Sequence, residues 1–95
     1  MVNAAAEVVR DLQVVNEKGL HARASARFVE TVERFDARAF VEKDGERVSG
    51  DSIMGLLMLG APRGSTIRIT TRGNDAIALA DALEALLADR FGEGA

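Results

Sequence analysis

The sequence predicts an α+β fold in which a single β-sheet is covered on one face by helices. Three observations support this: stretches where apolar and polar residues alternate, stretches where apolar residues recur every three or four positions, and a length of 95 residues, which suits one compact domain. The predicted order of elements is β-α-β-β-α-β-α, and two layers are the simplest way for it to bury one core. We expect a single domain over residues 1–95, with residues 1–7 as a flexible leader.

The first half of the chain predicts a strand, a helix and a second strand. Residues 8–16 alternate in polarity, with Leu12 and Val14 on the same face. Helical periodicity begins near His21. The predicted inward face of this helix contains Ala22, Ser25, Ala26, Val29, Val32 and Phe35. Alternation resumes over residues 37–42, which predicts the second strand.

The second half predicts a hairpin, a short helix, a strand and a last helix. Asp44-Gly45 is a two-residue hairpin signal, and residues 46–49 form the returning strand. Residues 52–59 are an apolar run without alternation, which we interpret as a short helix. Residues 66–72 alternate sharply, as expected of a strand. The inward face of the last helix is predicted to contain Ile77, Ala80, Leu83, Leu86, Leu87 and Phe91.

The composition excludes several functional classes. The chain is 28% charged with a net charge of −3, so it has no overall basic field for a nucleic acid. It has no cysteine and one histidine, which excludes disulfides, thiolate chemistry and a histidine-rich metal site. No stretch approaches the roughly 20 apolar residues of a membrane span, and Met1–Leu12 lacks the pattern of a signal peptide. We expect a cytoplasmic protein with no cofactor, metal, nucleic-acid partner or membrane partner.

The segment Gly19-Leu20-His21-Ala22-Arg23 has the residues best suited to chemistry. His21 lies where a strand leads into a helix, and the first N–H groups of a helix lack intrahelical partners and carry partial positive charge. A phosphoryl group on the imidazole would be stabilised there as an anion, and Arg23 can add charge-assisted hydrogen bonds. Neutral histidine is also a nucleophile that forms covalent intermediates. A lone histidine at the start of a helix is more often a cap or a satisfied surface group, and spacing alone leaves both interpretations open.

Two motifs resemble those of the HPr family, the histidine phosphocarriers of the bacterial phosphoenolpyruvate-dependent phosphotransferase system. Residues 19–23 resemble the phosphorylation-site motif of the family. Residues 51–60, Asp-Ser-Ile-Met-Gly-Leu-Leu-Met-Leu-Gly, resemble its regulatory-serine helix. The interval between the motifs, the predicted hairpin and the closing helix agree as well, so the resemblance covers residues 11–91.

The resemblance implies an open-faced β-sandwich, a four-stranded antiparallel sheet with three helices on one face. It implies that enzyme I phosphorylates Nδ1 of His21 with a phosphoryl group from phosphoenolpyruvate, and that this group passes to a histidine of an EIIA-type protein. The side chain of Arg23 and the backbone N–H groups of Ala22 and Arg23 would assist. The chain would then be a recycled carrier rather than an enzyme, and a monomer, because His21 must be accessible to large partners.

The sequence departs from the commoner motif at one position. The family often has proline after the arginine, whereas this chain has Ala24. Proline would fix the backbone at the helix start, and alanine keeps the helix without that restraint. The Ala24-Ser25 pair is similar to proteobacterial members of the family, including those of the nitrogen-related branch.

Ser52 has two interpretations. Serine is a preferred N-cap residue, which accepts a hydrogen bond from a backbone N–H one turn into the helix. The resemblance adds that an HPr kinase/phosphorylase can phosphorylate this serine, which would place negative charge close to the partner surface. The sequence leaves both interpretations open.

The short helix is too apolar all round to lie entirely in the core. Leu56 and Leu59 are predicted to be buried. The exposed apolar surface, which would bind partners transiently, is predicted to contain Ile53, Met54 and Leu57. Arg27, one turn beyond Arg23, is predicted to orient an acidic partner. The alternative is that the whole apolar run is buried.

Two other functions remain open at this point. The chain could be a regulatory binding module, in which the phosphorylation state of His21 controls target proteins rather than sugar transport. It could also be a small ligand-binding domain in which His21 is only a cap. A true enzyme is disfavoured, because no second nucleophile, general base or Gly-rich nucleotide loop lies at a recognisable spacing.

Overall fold

The computed structural model describes residues 6–94. The strands are β1 (Glu7–Gln13), β2 (Arg38–Lys43), β3 (Glu46–Ser49) and β4 (Thr66–Arg72), and the helices are α1 (Ala22–Glu33), α2 (Ile53–Leu59) and α3 (Ala76–Ala88). A 3₁₀ turn (Arg90–Gly92) follows α3. The order of strands and helices is therefore the predicted one. Within residues 6–94, no helix is both long and apolar enough to span a membrane.

The four strands form one antiparallel sheet in the order β1-β4-β2-β3. Leu12 of β1 lies opposite Ile67 of β4, Val41 of β2 lies opposite Ile69 of β4, and all four side chains are buried. Successive side chains of a strand point to opposite faces of the sheet. The face that carries these four side chains packs against the helices, and the opposite face is open. The predicted open-faced sandwich is confirmed.

The hairpin between β2 and β3 is the one predicted from Asp44-Gly45. Lys43 pairs with Glu46 across it. Asp44 and Gly45 both have positive φ, 52° and 84°, as a two-residue turn of this kind requires. Because this signal is local, the sequence was sufficient to predict it.

The buried face of α1 differs from the predicted one. It contains Ala24, Ser25, Phe28, Val29, Thr31 and Val32. Ala22 is exposed and Ala26 is half-buried, so these two assignments were wrong. α1 packs against both α2 and α3. A helix that packs against two others buries a wide face. The prediction considered only one narrow row of apolar residues spaced three or four apart, and Phe28 lies outside that row.

One residue that was predicted to lie on the buried face of α3, Ile77, is exposed. Ile77 has an exposed fraction of 61%, and Leu79 lies in the core instead. Four other predicted core residues are buried, namely Ala80, Leu83, Leu87 and Phe91. Nearly all sides of α3 are apolar, so periodicity alone does not define which side faces the sheet.

The N-terminal strand has different ends from those predicted. β1 begins at Glu7, whose Oε2 accepts a hydrogen bond of 2.6 Å from Nη2 of Arg72 in β4. Glu7 thus belongs to the sheet rather than to the predicted leader, and residues 1–5 lie outside the described residues. β1 ends at Gln13, after which the N–H of Val14 donates to the carbonyl oxygen of Ser65 at 2.9 Å.

Candidate functional site

His21 is the N-cap residue of α1, at the end of the loop that follows β1. Gly19 in this loop has a φ of +66°, a left-handed conformation that suits glycine. A Cβ at Gly19 would lie 2.3 Å from the carbonyl oxygen of Ala61, so no other residue fits. The same oxygen accepts a hydrogen bond of 2.9 Å from the N–H of Leu20, which is buried. These contacts hold the residues before His21 against the segment between α2 and β4.

The first turn of α1 leaves backbone donors next to His21. The first intrahelical hydrogen bond runs from the N–H of Ser25 to the carbonyl oxygen of His21, at 2.9 Å. The N–H groups of Ala22, Arg23 and Ala24 precede it and have no acceptor within the helix. Ala24 is helical and buried, so α1 begins here without a proline. An anion at this end of the helix is stabilised by these donors and by the helix dipole.

His21 lies in an open surface cleft of about 580 Å³. The residues that line it are Glu17, Lys18, His21, Ala22, Arg23, Glu93 and Gly94. His21 is partly exposed and Arg23 is exposed. The structure therefore brings together three of the predicted site residues, with charged side chains of both signs around them.

The C-terminal segment contributes a carboxylate to this cleft. Oε2 of Glu93 is in hydrogen-bond contact with Nε2 of His21. Oε1 of Glu93 accepts a hydrogen bond of 3.0 Å from Nδ2 of Asn16. Asn16 is fully buried, and its Nδ2 also donates to the carbonyl oxygen of Gly19 at 2.8 Å. Glu93 thus connects the histidine ring to the loop that precedes it.

The environment of Glu93 keeps its carboxylate ionised. Burial disfavours the charged form and raises the pKa of Glu93, but hydrogen bonds from His21 and Asn16 act in the opposite direction. Attraction to Lys18 and to the protonated form of His21 acts in the same direction as these hydrogen bonds, and the pKa of Glu93 lies below its ordinary value. At neutral pH this side chain is therefore an anion that can only accept hydrogen bonds.

Asn16 and Glu93 are site residues that the sequence patterns did not indicate. They are 77 residues apart, and no motif connects them. The one available signal was Phe91, correctly predicted to be buried. A buried Phe91 keeps the residues that follow it close to the body of the protein, and Glu93 is the charged residue among them.

α2 carries the second group of predicted site residues. Ser52 is its N-cap residue, and its Oγ accepts a hydrogen bond of 2.9 Å from the N–H of Gly55, which confirms the capping role. Leu56 and Leu59 are buried, as predicted. The exposed fractions of the remaining apolar side chains, here called the α2 apolar surface, are 40% for Ile53, 68% for Met54, 36% for Leu57 and 77% for Met58. Met58 was not part of the prediction.

Arg27 is exposed on α1, one turn after Arg23. A Cβ at Gly92 would lie 3.0 Å from Nη1 of Arg27, so the guanidinium reaches the 3₁₀ turn that precedes Glu93. Among residues 6–94, no group of three or more His, Cys, Asp and Glu side chains could hold a metal ion.

Comparisons with known proteins agree with this arrangement. The family model described as "PTS HPr component phosphorylation site" matches residues 8–89. The phosphocarrier protein HPr of Cupriavidus necator is 45% identical over 85 residues, which cover 90% of this chain and 96% of that protein. The crystal structure of HPr from Bacillus anthracis matches with a TM-score of 0.81 and 46% identity, over 84% of this chain and 95% of that one. HPr-C-His from Thermoanaerobacter tengcongensis gives a TM-score of 0.85 at 37% identity, over 95% and 99% of the two chains.

These matches extend over most of the chain in sequence and in structure. The residues matched by the family model include His21, the N-terminal turn of α1 and the whole of α2. The sheet of four antiparallel strands and the three helices match the solved HPr structures. The chain belongs to the HPr family, the phosphocarrier proteins of the phosphotransferase system.

Proposed function

We propose that this protein carries a phosphoryl group on Nδ1 of His21. Enzyme I would supply the group from phosphoenolpyruvate, and an EIIA-type protein would receive it. The observation that carries the proposal is the position of His21 at the N-cap of α1, in an open cleft that Arg23 also lines. Covalent carriage needs an accessible nucleophile next to a site that stabilises an anion, and this position offers both.

The proposed chemistry uses the two ring nitrogens differently. Nε2 of His21 is engaged by Glu93, which leaves Nδ1 for the attack. The lone pair of Nδ1 forms a bond to phosphorus while the bond to the donor breaks, and that electron pair stays with the donor. The charged oxygens are then stabilised by the N–H groups of Ala22 and Arg23 and by the Arg23 guanidinium. In the second transfer the acceptor attacks phosphorus, and the electron pair returns to Nδ1.

The α2 apolar surface supports the docking of partner proteins. Exposed clusters of apolar side chains mark interaction sites, and methionine adapts to partners of different shape. Because α1 and α2 pack against each other, this surface and His21 lie on neighbouring helices. Enzyme I and the EIIA-type protein would dock here in turn on a monomer, with Arg27 facing acidic side chains of the partner.

The test is phosphorylation by purified enzyme I with phosphoenolpyruvate, followed by intact-mass measurement at neutral pH. The wild-type chain is expected to gain a single acid-labile phosphoryl group, and His21→Ala is expected to gain none. Arg23→Ala should gain it more slowly, because it lacks the guanidinium that stabilises the phosphoryl oxygens. A wild-type chain that remains unmodified with enzyme I from a matching source would refute the proposal.

A regulatory function is the second candidate, and the α2 apolar surface supports it as well. The phosphorylation state of His21, or of Ser52 if an HPr kinase/phosphorylase modifies it, would then control the binding of target proteins. Adding an EIIA-type protein to the phosphorylated chain separates the two functions. Transfer of the phosphoryl group to the added protein supports the carrier, whereas its retention on this chain supports the regulatory module.

A further inference from the structure

The C-terminal turn holds Glu93 in place by its own structure. Arg90, Phe91 and Gly92 all have positive φ, 55°, 55° and 75°, and for the first two this conformation is unfavourable. Phe91 is nevertheless fully buried, and the N–H of Glu93 donates to the carbonyl oxygen of Arg90 at 2.9 Å. The burial of Phe91 stabilises a turn that would otherwise be unfavourable, and this turn returns the chain to His21.

The carboxylate of Glu93 is held at both of its oxygens. One accepts the hydrogen bond from the buried Asn16, and the other contacts Nε2 of His21. The Asn16 amide is in turn fixed by its hydrogen bond to the carbonyl oxygen of Gly19. Glu93 cannot turn away from the ring without breaking the bond to Asn16. Since its side chain is largely buried, the charged hydrogen bond to the ring is stronger than it would be in water.

We propose that Glu93 is a positioning residue for phosphoryl transfer: it keeps the proton of the neutral His21 ring on Nε2 and leaves the lone pair of Nδ1 available for phosphorus. A neutral imidazole has one N–H and one acceptor nitrogen, and the hydrogen bond made by one nitrogen decides which form is present. A carboxylate can only accept, so its partner Nε2 must carry the proton. This inference rests on the proposed carrier function, because it concerns the same ring.

The same contact is maintained after the phosphoryl group arrives. When Nδ1 forms its bond to phosphorus, its lone pair is used, and the ring becomes a cation that keeps the proton on Nε2. The negative charge of Glu93 offsets this cation. When the acceptor attacks, the bond between Nδ1 and phosphorus breaks, its electron pair returns to Nδ1, and the ring is neutral again. No proton enters or leaves the ring in either transfer.

Glu93→Ala and Glu17→Ala form a matched pair of variants for the test. Glu17 lines the same cleft, so both substitutions remove a carboxylate from it, but only Glu93 contacts Nε2. The first measurement is the ¹⁵N chemical shifts of the ring nitrogens with the ring neutral; they belong to His21 because the chain has one histidine. The second is the rate of phosphorylation by enzyme I with phosphoenolpyruvate.

The wild-type protein and Glu17→Ala are expected to show the proton on Nε2, whereas Glu93→Ala shows a mixture of the two neutral forms. Phosphorylation of Glu93→Ala should be slower by about tenfold, the lower end of the loss seen when the hydrogen-bond partner of a metal-bound histidine is removed. Glu93→Gln retains an acceptor oxygen without the charge, so it should keep the proton on Nε2 and recover part of the rate.

Ring-nitrogen shifts and a phosphorylation rate of Glu93→Ala equal to those of the wild type would overturn the proposal. Equal slowing of Glu93→Ala and Glu17→Ala would also overturn it, because the effect would then be one of charge in the cleft. A wild-type chain that enzyme I does not phosphorylate would refute the carrier function instead. In that case the ring-nitrogen shifts, which need no phosphoryl donor, still decide whether Glu93 positions the ring.

Discussion

Gly19 lies so close to Ala61 that no methyl group fits between them. A Cβ at Gly19 would be 2.3 Å from the carbonyl oxygen of Ala61 and 2.9 Å from Cα of Pro62. Both neighbours are backbone atoms, which cannot move aside as the end of a flexible side chain can. Because Gly19 precedes His21 by two residues, its contact with Ala61 helps to set the position of the histidine.

Gly19→Ala should therefore destabilise the protein and slow phosphorylation of His21. Gly60→Ala is the matched control: Gly60 has a φ of +58°, close to the +66° of Gly19, but nothing lies within 4 Å of a Cβ there. Strain in the left-handed region alone costs about 1–2 kcal/mol, and we expect that loss for Gly60→Ala. Urea denaturation should show a clearly larger loss for Gly19→Ala. Equal losses in the two variants would show that the Ala61 contact is unimportant.

The hydrogen bond between Ser52 Oγ and the N–H of Gly55 should contribute to stability. Ser52→Ala removes this cap and should lower the free energy of unfolding by about 1 kcal/mol. Ser52→Asp keeps a capping oxygen, so urea denaturation should show a smaller loss. A Ser52→Ala variant as stable as the wild type would contradict the capping role.

The α2 apolar surface should determine how well partners bind. Met54→Glu places a charge at a side chain with an exposed fraction of 68%, so it should leave the stability unchanged while weakening docking. We expect the phosphorylation rate at low protein concentration to fall about tenfold, which corresponds to a loss of about 1.4 kcal/mol of binding free energy at the interface. Ile77→Glu is the control, because Ile77 is 61% exposed but belongs to α3. Similar slowing in both variants would argue against a specific docking surface.

Glu93 should make stability depend on pH in a defined direction. Its pKa in the folded protein lies below the ordinary value of 4.5, mainly because the hydrogen bonds from His21 and Asn16 outweigh burial. Its ionised form therefore stabilises the fold above about pH 4.5, and this contribution is lost as the pH falls through the lower, folded pKa. Glu93→Gln should lower the free energy of unfolding by about 1 kcal/mol near pH 7.

The pH dependence provides the check on this prediction. Urea denaturation of Glu93→Gln and the wild type should give different stabilities near pH 7, and the difference should shrink as the pH falls below 4.5 towards the lowered pKa of the folded state. A difference that stays the same as the pH falls would mean that the charge of Glu93 does not stabilise the fold.

Local signals in the sequence were sufficient for most of the fold. Strand β4 has the predicted limits, because alternation along a strand is a local property. The buried face of α3 was only partly predicted, because that helix is apolar on nearly all sides. Contacts between distant parts of the chain were missed, as with Asn16 and Glu93, because they depend on how the C-terminal turn packs. His21, Ala22 and Arg23 were found as a group because they are consecutive in sequence.

The carrier function requires phosphorus bonded to Nδ1 of His21. Protein labelled with ¹⁵N in histidine, phosphorylated with enzyme I and phosphoenolpyruvate, gives NMR signals from one ring, because the chain has one histidine. We predict ¹⁵N–³¹P coupling at Nδ1 and a proton retained on Nε2. Phosphorus on Nε2, on another residue, or on neither ring nitrogen would contradict the function proposed for this protein.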